Sequence, residues 1–160
     1  MNIEPATEEL RPGGAAVSIS ILCVDDEEMI LKALRRIFRG EEFLTLTAAS
    51  GPEALNILKN NPGIGLILCD QQMPGMTGST FLQEAHTLHP DISAIVFTSS
   101  DITGALDAIR RGVAYRLLAK PWHEEELRLA VRDGLHRYHL VRENRRLAER
   151  AGTRPDRSVH

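Results

Sequence analysis

Apolar positions along the chain switch repeatedly between a strand-like and a helix-like period. Residues 18–24, S-I-S-I-L-C-V, form a short apolar run and predict a first strand. Beyond Asp25-Asp26-Glu27-Glu28, the residues Ile30, Leu34, Ile37 and Phe38 recur at i, i+4, i+7 and i+8, one apolar stripe of a helix. The acids at its first turn suit the positive end of the helix dipole. Residues 43–48 alternate as a second strand. Ser50-Gly51-Pro52-Glu53 reads as a capping box with proline in the first turn; Ala54, Leu55, Ile57 and Leu58 form the buried face, and Asn60-Asn61-Pro62-Gly63 the stop. Residues 64–69 are the third strand, and Phe81, Leu82, Ala85 and Leu88 mark a third helix that stops near His89-Pro90. Residues 92–97 are the fourth strand; Ile102, Ala105, Leu106 and Ile109 mark a fourth helix ending at Gly112. Residues 113–119 are the fifth strand, and a long helix follows over about 124–149.

Five strands alternating with five helices predict an α/β domain with a parallel sheet and helices on both faces. Strands that are apolar almost throughout, such as 64–69, fit burial on both sides. No internal repeat of solenoid period is present.

Composition narrows the class without changing the fold. The 160 residues are one domain's worth, 42% hydrophobic and 26% charged. No apolar run reaches membrane-span length. The first residues, M-N-I-E-P-A-T-E-E-L-R-P-G-G, are acidic and lack the apolar core of a secretory signal. Cys23 and Cys69 both fall inside apolar runs, which reads as core thiols rather than a disulfide framework. A cytoplasmic protein is expected. The net charge of -3 divides into -5 over residues 1–122 and +2 over residues 123–160. Neither half carries the clustered basic charge of a nucleic-acid footprint, so no direct nucleic-acid or membrane partner is expected. The arginines of the C-terminal part read as a solvated helix face.

Candidate chemistry collects at the strand ends. In open parallel sheets, ligands bind outside the carboxyl ends of the strands. Asp25 and Asp26 follow the first strand, Asp70 the third, Thr98, Ser99 and Ser100 the fourth, and Lys120-Pro121 the fifth. Equivalent positions of successive units converge in space, so three carboxylates are expected to meet there and to need a counter-charge. Oxygen-only ligands favour a hard divalent cation, Mg2+ foremost. The loop after the first strand has no glycine-rich phosphate cradle and would attract a cation, not an anion. Lys120 and Thr98 add an ammonium and a hydroxyl on the other flank, a set suited to a phosphoryl group. Asp70 is then a candidate carboxylate nucleophile.

The motifs D-D-E at 25–27, C-D-Q-Q-M-P-G-M-T-G at 69–78, F-T-S-S at 97–100 and A-K-P-W at 119–122 resemble those of the receiver domain of bacterial two-component response regulators, over roughly residues 19–137. The resemblance implies a flavodoxin-like three-layer sandwich with a five-stranded parallel sheet of order 2-1-3-4-5. It implies Asp70 as the phosphoacceptor, with Asp25, Asp26, Asp70 and the backbone carbonyl of Gln72 binding Mg2+, and Thr98 and Lys120 contacting the phosphoryl oxygens. It implies a cis peptide before Pro121. The phosphoryl donor would be a sensor histidine kinase or phosphotransfer protein, and the output a change in the surface of helix 4, strand 5 and helix 5. Such a protein is a switch rather than an enzyme, with slow autodephosphorylation at most.

One departure stands out. The family's usual aromatic, three residues before the lysine, is Leu117 here, while Tyr115 is expected on the same strand face two residues earlier. Ser99 and Gln72 flank the site where the family varies and where dephosphorylation rate is set.

The organisation expected is a flexible lead over 1–17, the receiver over 18–137, and a helical extension with a disordered tail over 138–160. With Leu140 and Leu147 at heptad d, Asn144 and Ala151 fall at a. Two readings stay open there: a short coiled coil that forms a homodimer, or a solvated helix. The 160 residues read either as a stand-alone switch acting by protein contact or as the receiver piece of a longer regulator, for example one with a cyclic-di-GMP phosphodiesterase output. A Mg2+-dependent phosphohydrolase using an aspartyl-phosphate ranks last, because Gln72 stands where that class wants a second carboxylate.

Overall fold

The structure is a computed structural model and describes residues 19–100 and 102–151. The lead over 1–17 and the tail over 152–160 lie outside the described residues. The chain alternates β1 (Ser20–Val24), α1 (Glu28–Ile37), β2 (Leu44–Ala48), α2 (Gly51–Asn60), β3 (Ile64–Asp70), α3 (Gly78–Leu88), β4 (Ser93–Thr98), α4 (Ile102–Arg110), β5 (Arg116–Ala119) and α5 (Glu124–Arg150). All strand pairings are parallel and the sheet order is β2-β1-β3-β4-β5. This is the flavodoxin-like order expected.

Alternation along each strand divides the core into two layers. Leu22, Val24, Ile67, Cys69 and Val96 face Ala54, Leu58, Phe81, Leu82, Ala85, Ala105 and Ala108, from α2, α3 and α4. Ile21, Cys23, Leu66, Leu68, Ile95 and Phe97 face Leu31, Leu34, Leu127, Ala130 and Val131, from α1 and α5. Both thiols are free and buried, and they occupy opposite layers although β1 and β3 are neighbours.

Local chemistry sets the helix ends. Ser50 caps α2 by accepting from the Glu53 N–H at 3.2 Å, while the Glu53 carboxylate reaches back to the Ala49 N–H at 2.9 Å. The Thr77 hydroxyl accepts from the Thr80 N–H at 3.3 Å and caps α3.

The fifth strand is shorter than its apolar run suggests. The N–H groups of Val113 and Ala114 both turn back to the Ala108 carbonyl, at 3.0 and 3.2 Å, so the chain is still closing α4 there; the Tyr115 N–H is the first to reach β4, donating to the Ala94 carbonyl at 2.8 Å, and the strand itself runs from Arg116. Strand alternation therefore does not reach Tyr115. Leu117 packs into the α2–α4 layer, whereas Tyr115 packs into the α1–α5 layer. Its hydroxyl donates to the Ala130 carbonyl of α5, and Arg137 stacks over its ring at 4.8 Å. The expectation that Tyr115 shares the face of Leu117 is corrected by this packing.

Contact between α5 and the sheet continues past residue 137. Tyr138 is 5% exposed, and its ring lies where a Cβ on Gly65 would be, 2.6 Å from Tyr138 Cδ2. Arg145 pairs with Asp91 at 2.6 Å. Leu140 and Leu147, by contrast, are 53% and 51% exposed.

Candidate functional site

Asp25 is the first residue after β1 and is 1% exposed. Its Oδ1 accepts from the Glu27 N–H at 2.9 Å, a turn that launches α1. Its Oδ2 accepts from Lys120 Nζ at 2.9 Å. Capping and charge pairing thus use different oxygens of one carboxylate. Asp26 is exposed beside it. Asp70 ends β3, 5% exposed, with the Lys120 ammonium at 3.4 Å. Carboxylate oxygens of Asp25, Asp26 and Asp70 lie within 4.8 Å of one another.

Lys120 enters this cluster from the end of β5, where its N–H donates to the Thr98 carbonyl at 2.9 Å and the Lys120–Pro121 peptide is cis. Thr98 is buried at the end of β4, and its hydroxyl has no hydrogen-bond partner among the described residues. A buried hydroxyl without a partner is uncommon, and here it belongs to the residue after Phe97, which pairs in register with Asp70 on the neighbouring strand. The Gln72 side chain is exposed and accepts from Ser100 Oγ at 3.2 Å.

Burial is the largest influence on the Asp70 carboxyl and raises it above the ordinary value; the nearby Asp25 charge pushes the same way, and Lys120 and a hydrogen bond with the Gln72 backbone pull against both. For Lys120, burial opposes the charged form, but hydrogen bonds and charges from Asp25 and Asp70 win and hold the ammonium above its ordinary value. Among the described residues, one ammonium faces three carboxylates. The surplus negative charge and the all-oxygen donor set fit a hard divalent cation.

Two further features complete the surroundings of the site. Gly78 lies so close to β3 that a Cβ there would be 2.4 Å from the Asp70 carbonyl oxygen, so the loop after Asp70 closes onto the strand that carries it. Trp122 packs over Phe97 with ring centroids 5.1 Å apart, in the α1–α5 layer.

A doubly wound parallel sheet with an acidic cluster, a lysine and a hydroxyl at its carboxyl edge is the arrangement of a receiver-type domain. The comparisons agree: the response regulator receiver domain model matches residues 21–132, and the chain belongs to that family. It is 36% identical over 129 residues to the hydrogenase transcriptional regulatory protein HoxA of Cupriavidus necator, covering 80% of this chain and 26% of that protein. It is 35% identical over 116 residues to the sporulation initiation phosphotransferase F of Bacillus subtilis, covering 70% of this chain and 90% of that protein. Among solved structures, a response regulator receiver domain protein from Clostridium thermocellum superposes with a TM-score of 0.72 at 30% identity, over 77% of this chain and 98% of that one. The chain spans about a quarter of the length of the transcriptional regulators it matches.

Proposed function

We propose that this protein is a phosphorylation-dependent signalling switch whose phosphoacceptor is Asp70. The donor is a sensor histidine kinase or a phosphotransfer protein. An Asp70 carboxylate oxygen attacks the phosphorus of a phosphohistidine, the P–N bond breaks, and the imidazole leaves and takes up a proton. Asp25, Asp26, Asp70 and the backbone carbonyl of Gln72 would hold a Mg2+ ion, which when bound supplies positive charge against the phosphoryl oxygens. Lys120 is already within reach of Asp70, and its ammonium would donate to a phosphoryl oxygen. The unpartnered Thr98 hydroxyl would donate to another.

The single observation that carries this reading is the meeting of Asp25, Asp26 and Asp70 with one ammonium and one orphaned buried hydroxyl. Phosphorylation adds charge at Asp70 and shifts the population toward an altered α4–β5–α5 surface. With leucine at 117 and Tyr115 bonded to α5, that shift would rest on Thr98 and α4. Output is by contact with a downstream protein, and a second copy of the chain is proposed to pack along the exposed Leu140–Leu147 side of α5 or the α4–β5–α5 face. Hydrolysis of the aspartyl-phosphate would be slow. Among the described residues no helix is long and apolar enough to cross a membrane, and a cytoplasmic location is proposed.

The test is intact-mass spectrometry after incubation with acetyl phosphate and Mg2+. A single phosphoryl adduct is expected in wild type, absent in Asp70→Asn and absent without the metal. No adduct in wild type would overturn the reading.

A further inference from the structure

Gln71 follows Asp70 directly and is 2% exposed, so its amide must find partners inside the protein. It finds them on the helix after the loop. Oε1 accepts from the Ser79 backbone N–H at 3.0 Å, and Nε2 lies 3.5 Å from Ser79 Oγ. The Gln71 carbonyl accepts from the Gly78 N–H at 2.8 Å, and the Gln71 N–H donates to the Phe97 carbonyl of β4 at 2.9 Å. One residue thus joins β3, β4 and the start of α3.

An ordinary helix cap would account for the Ser79 bond alone, since α3 has orphan N–H groups to satisfy. But α3 already has a local cap in Thr77. Gln71 differs from it in origin: it reaches the helix from the peptide unit next to Asp70, across the mouth of the loop. Gln72 is the next residue in that loop.

We propose that Gln71 is a positioning residue that, by gripping Ser79, fixes the Gln72 backbone relative to Asp70 and so sets the affinity of the acidic cluster for Mg2+. The proposal rests on the phosphoacceptor reading above. A carbonyl ligand on a loop that must order itself on binding binds more weakly than one already held in place. Loss of an outer-shell support typically weakens metal affinity by about tenfold or more. The loop keeps other anchors, Met73 buried in the core and Met76 against Gly51, so the domain is expected to fold without the glutamine amide.

The test compares wild type with Gln71→Met, which keeps the length of the side chain and removes its polar atoms. Two readouts are used: hydrogen exchange at the Ser79 amide in metal-free protein, and Mg2+ affinity from amide chemical shifts in an NMR titration. Expected are loss of Ser79 protection and a Mg2+ dissociation constant raised about tenfold. Gln71→Glu, which keeps an accepting oxygen, should retain the protection and bind Mg2+ no more weakly than wild type. Should the Met variant not fold, Gln71→Asn, whose amide is one methylene short of Ser79, carries the same expectation as Met. Loss of Ser79 protection with unchanged Mg2+ affinity, or a Glu variant as weak as Met, overturns the proposal while leaving the phosphoacceptor reading intact. Wild type that binds no Mg2+ overturns both.

Discussion

Lys120 Nζ donates to Asp25 Oδ2 at 2.9 Å and stands farther, 3.4 Å, from Asp70. Among the described residues the cluster's one close ammonium therefore leans on Asp25, and the Asp70 carboxyl stays above its ordinary value of 3.8, through burial first and the Asp25 charge second. A carboxyl raised by folding contributes stability that is complete below the unfolded value and is lost as pH rises through the folded value. Ionising Asp70 thus costs the metal-free fold stability. Asp70→Asn is expected to stabilise metal-free protein at neutral pH by roughly 1 kcal/mol, the scale of gain common where a site kept for function is relieved of its cost to stability. The gain should shrink on acidification toward the ordinary carboxylate range. Urea unfolding at the two pH values checks this, and a destabilised Asn variant at neutral pH would refute it.

Removing the lysine has the opposite sign. Lys120→Gln leaves Asp25, 1% exposed, without its charge partner, and breaking a buried pair from one side typically destabilises by about 3 kcal/mol. Because Lys120 pulls the Asp70 carboxyl down, that carboxyl should titrate at higher pH in the variant than in wild type. An NMR titration of the Asp70 side chain measures it directly; an unchanged or lower midpoint would show that Lys120 does not act on Asp70.

Tyr138 offers a test of how far α5 belongs to the sheet. Its ring fills the space above Gly65. Tyr138→Ala should destabilise the domain by about 3 kcal/mol, as expected for emptying a buried aromatic site. Gly65→Ala should act on the same contact, because its new Cβ collides with the ring, and the two effects should be less than additive in a double-mutant cycle. Additive losses would place the two residues in separate sites.

These contacts also mark what was legible in the sequence. Asp25, Asp26, Asp70, Thr98 and Lys120 could be placed because each stands at a strand end, and parallel sheet topology brings strand ends together whatever the loops do. The helix stripes and the capping box at Ser50 were readable because they are local. Tyr115 was misread because a period of two holds only within a strand, and the chain at 113–114 is still bonded to Ala108. Tyr138 falls at the start of the expected extension because its partner, Gly65, is distant in sequence and has no side chain to signal the contact. Gln71 carried no signal at all: a buried glutamine in D-Q-Q reads as polar until the return of α3 at Ser79 supplies its partners.

The thiols supply a prediction on the alkaline side. Cys23 is fully enclosed in the α1–α5 layer, and burial is the main cause that pushes its thiol from 9.0 up to about 12, against a smaller downward pull from Arg35. Burial likewise raises Cys69, with Asp70 and Asp25 adding to it. Both thiols are therefore neutral in the folded protein at the pH where alkylating reagents are used, and the thiolate is the reactive form. Iodoacetamide near pH 8 should modify neither cysteine in native protein and both in denaturant, as read by intact mass. The linkage follows the same raised-pKa sign as for Asp70: stability from these thiols is complete below about 9 and falls as pH climbs toward about 12, because the unfolded chain ionises its thiols first. Cys23→Ala removes that group, so its stability should decline less steeply than that of wild type over this interval, whatever the offset from the cavity it leaves. Equal slopes in the two proteins, or rapid labelling of Cys23 in the native state, would show that the thiol is not held neutral by the core.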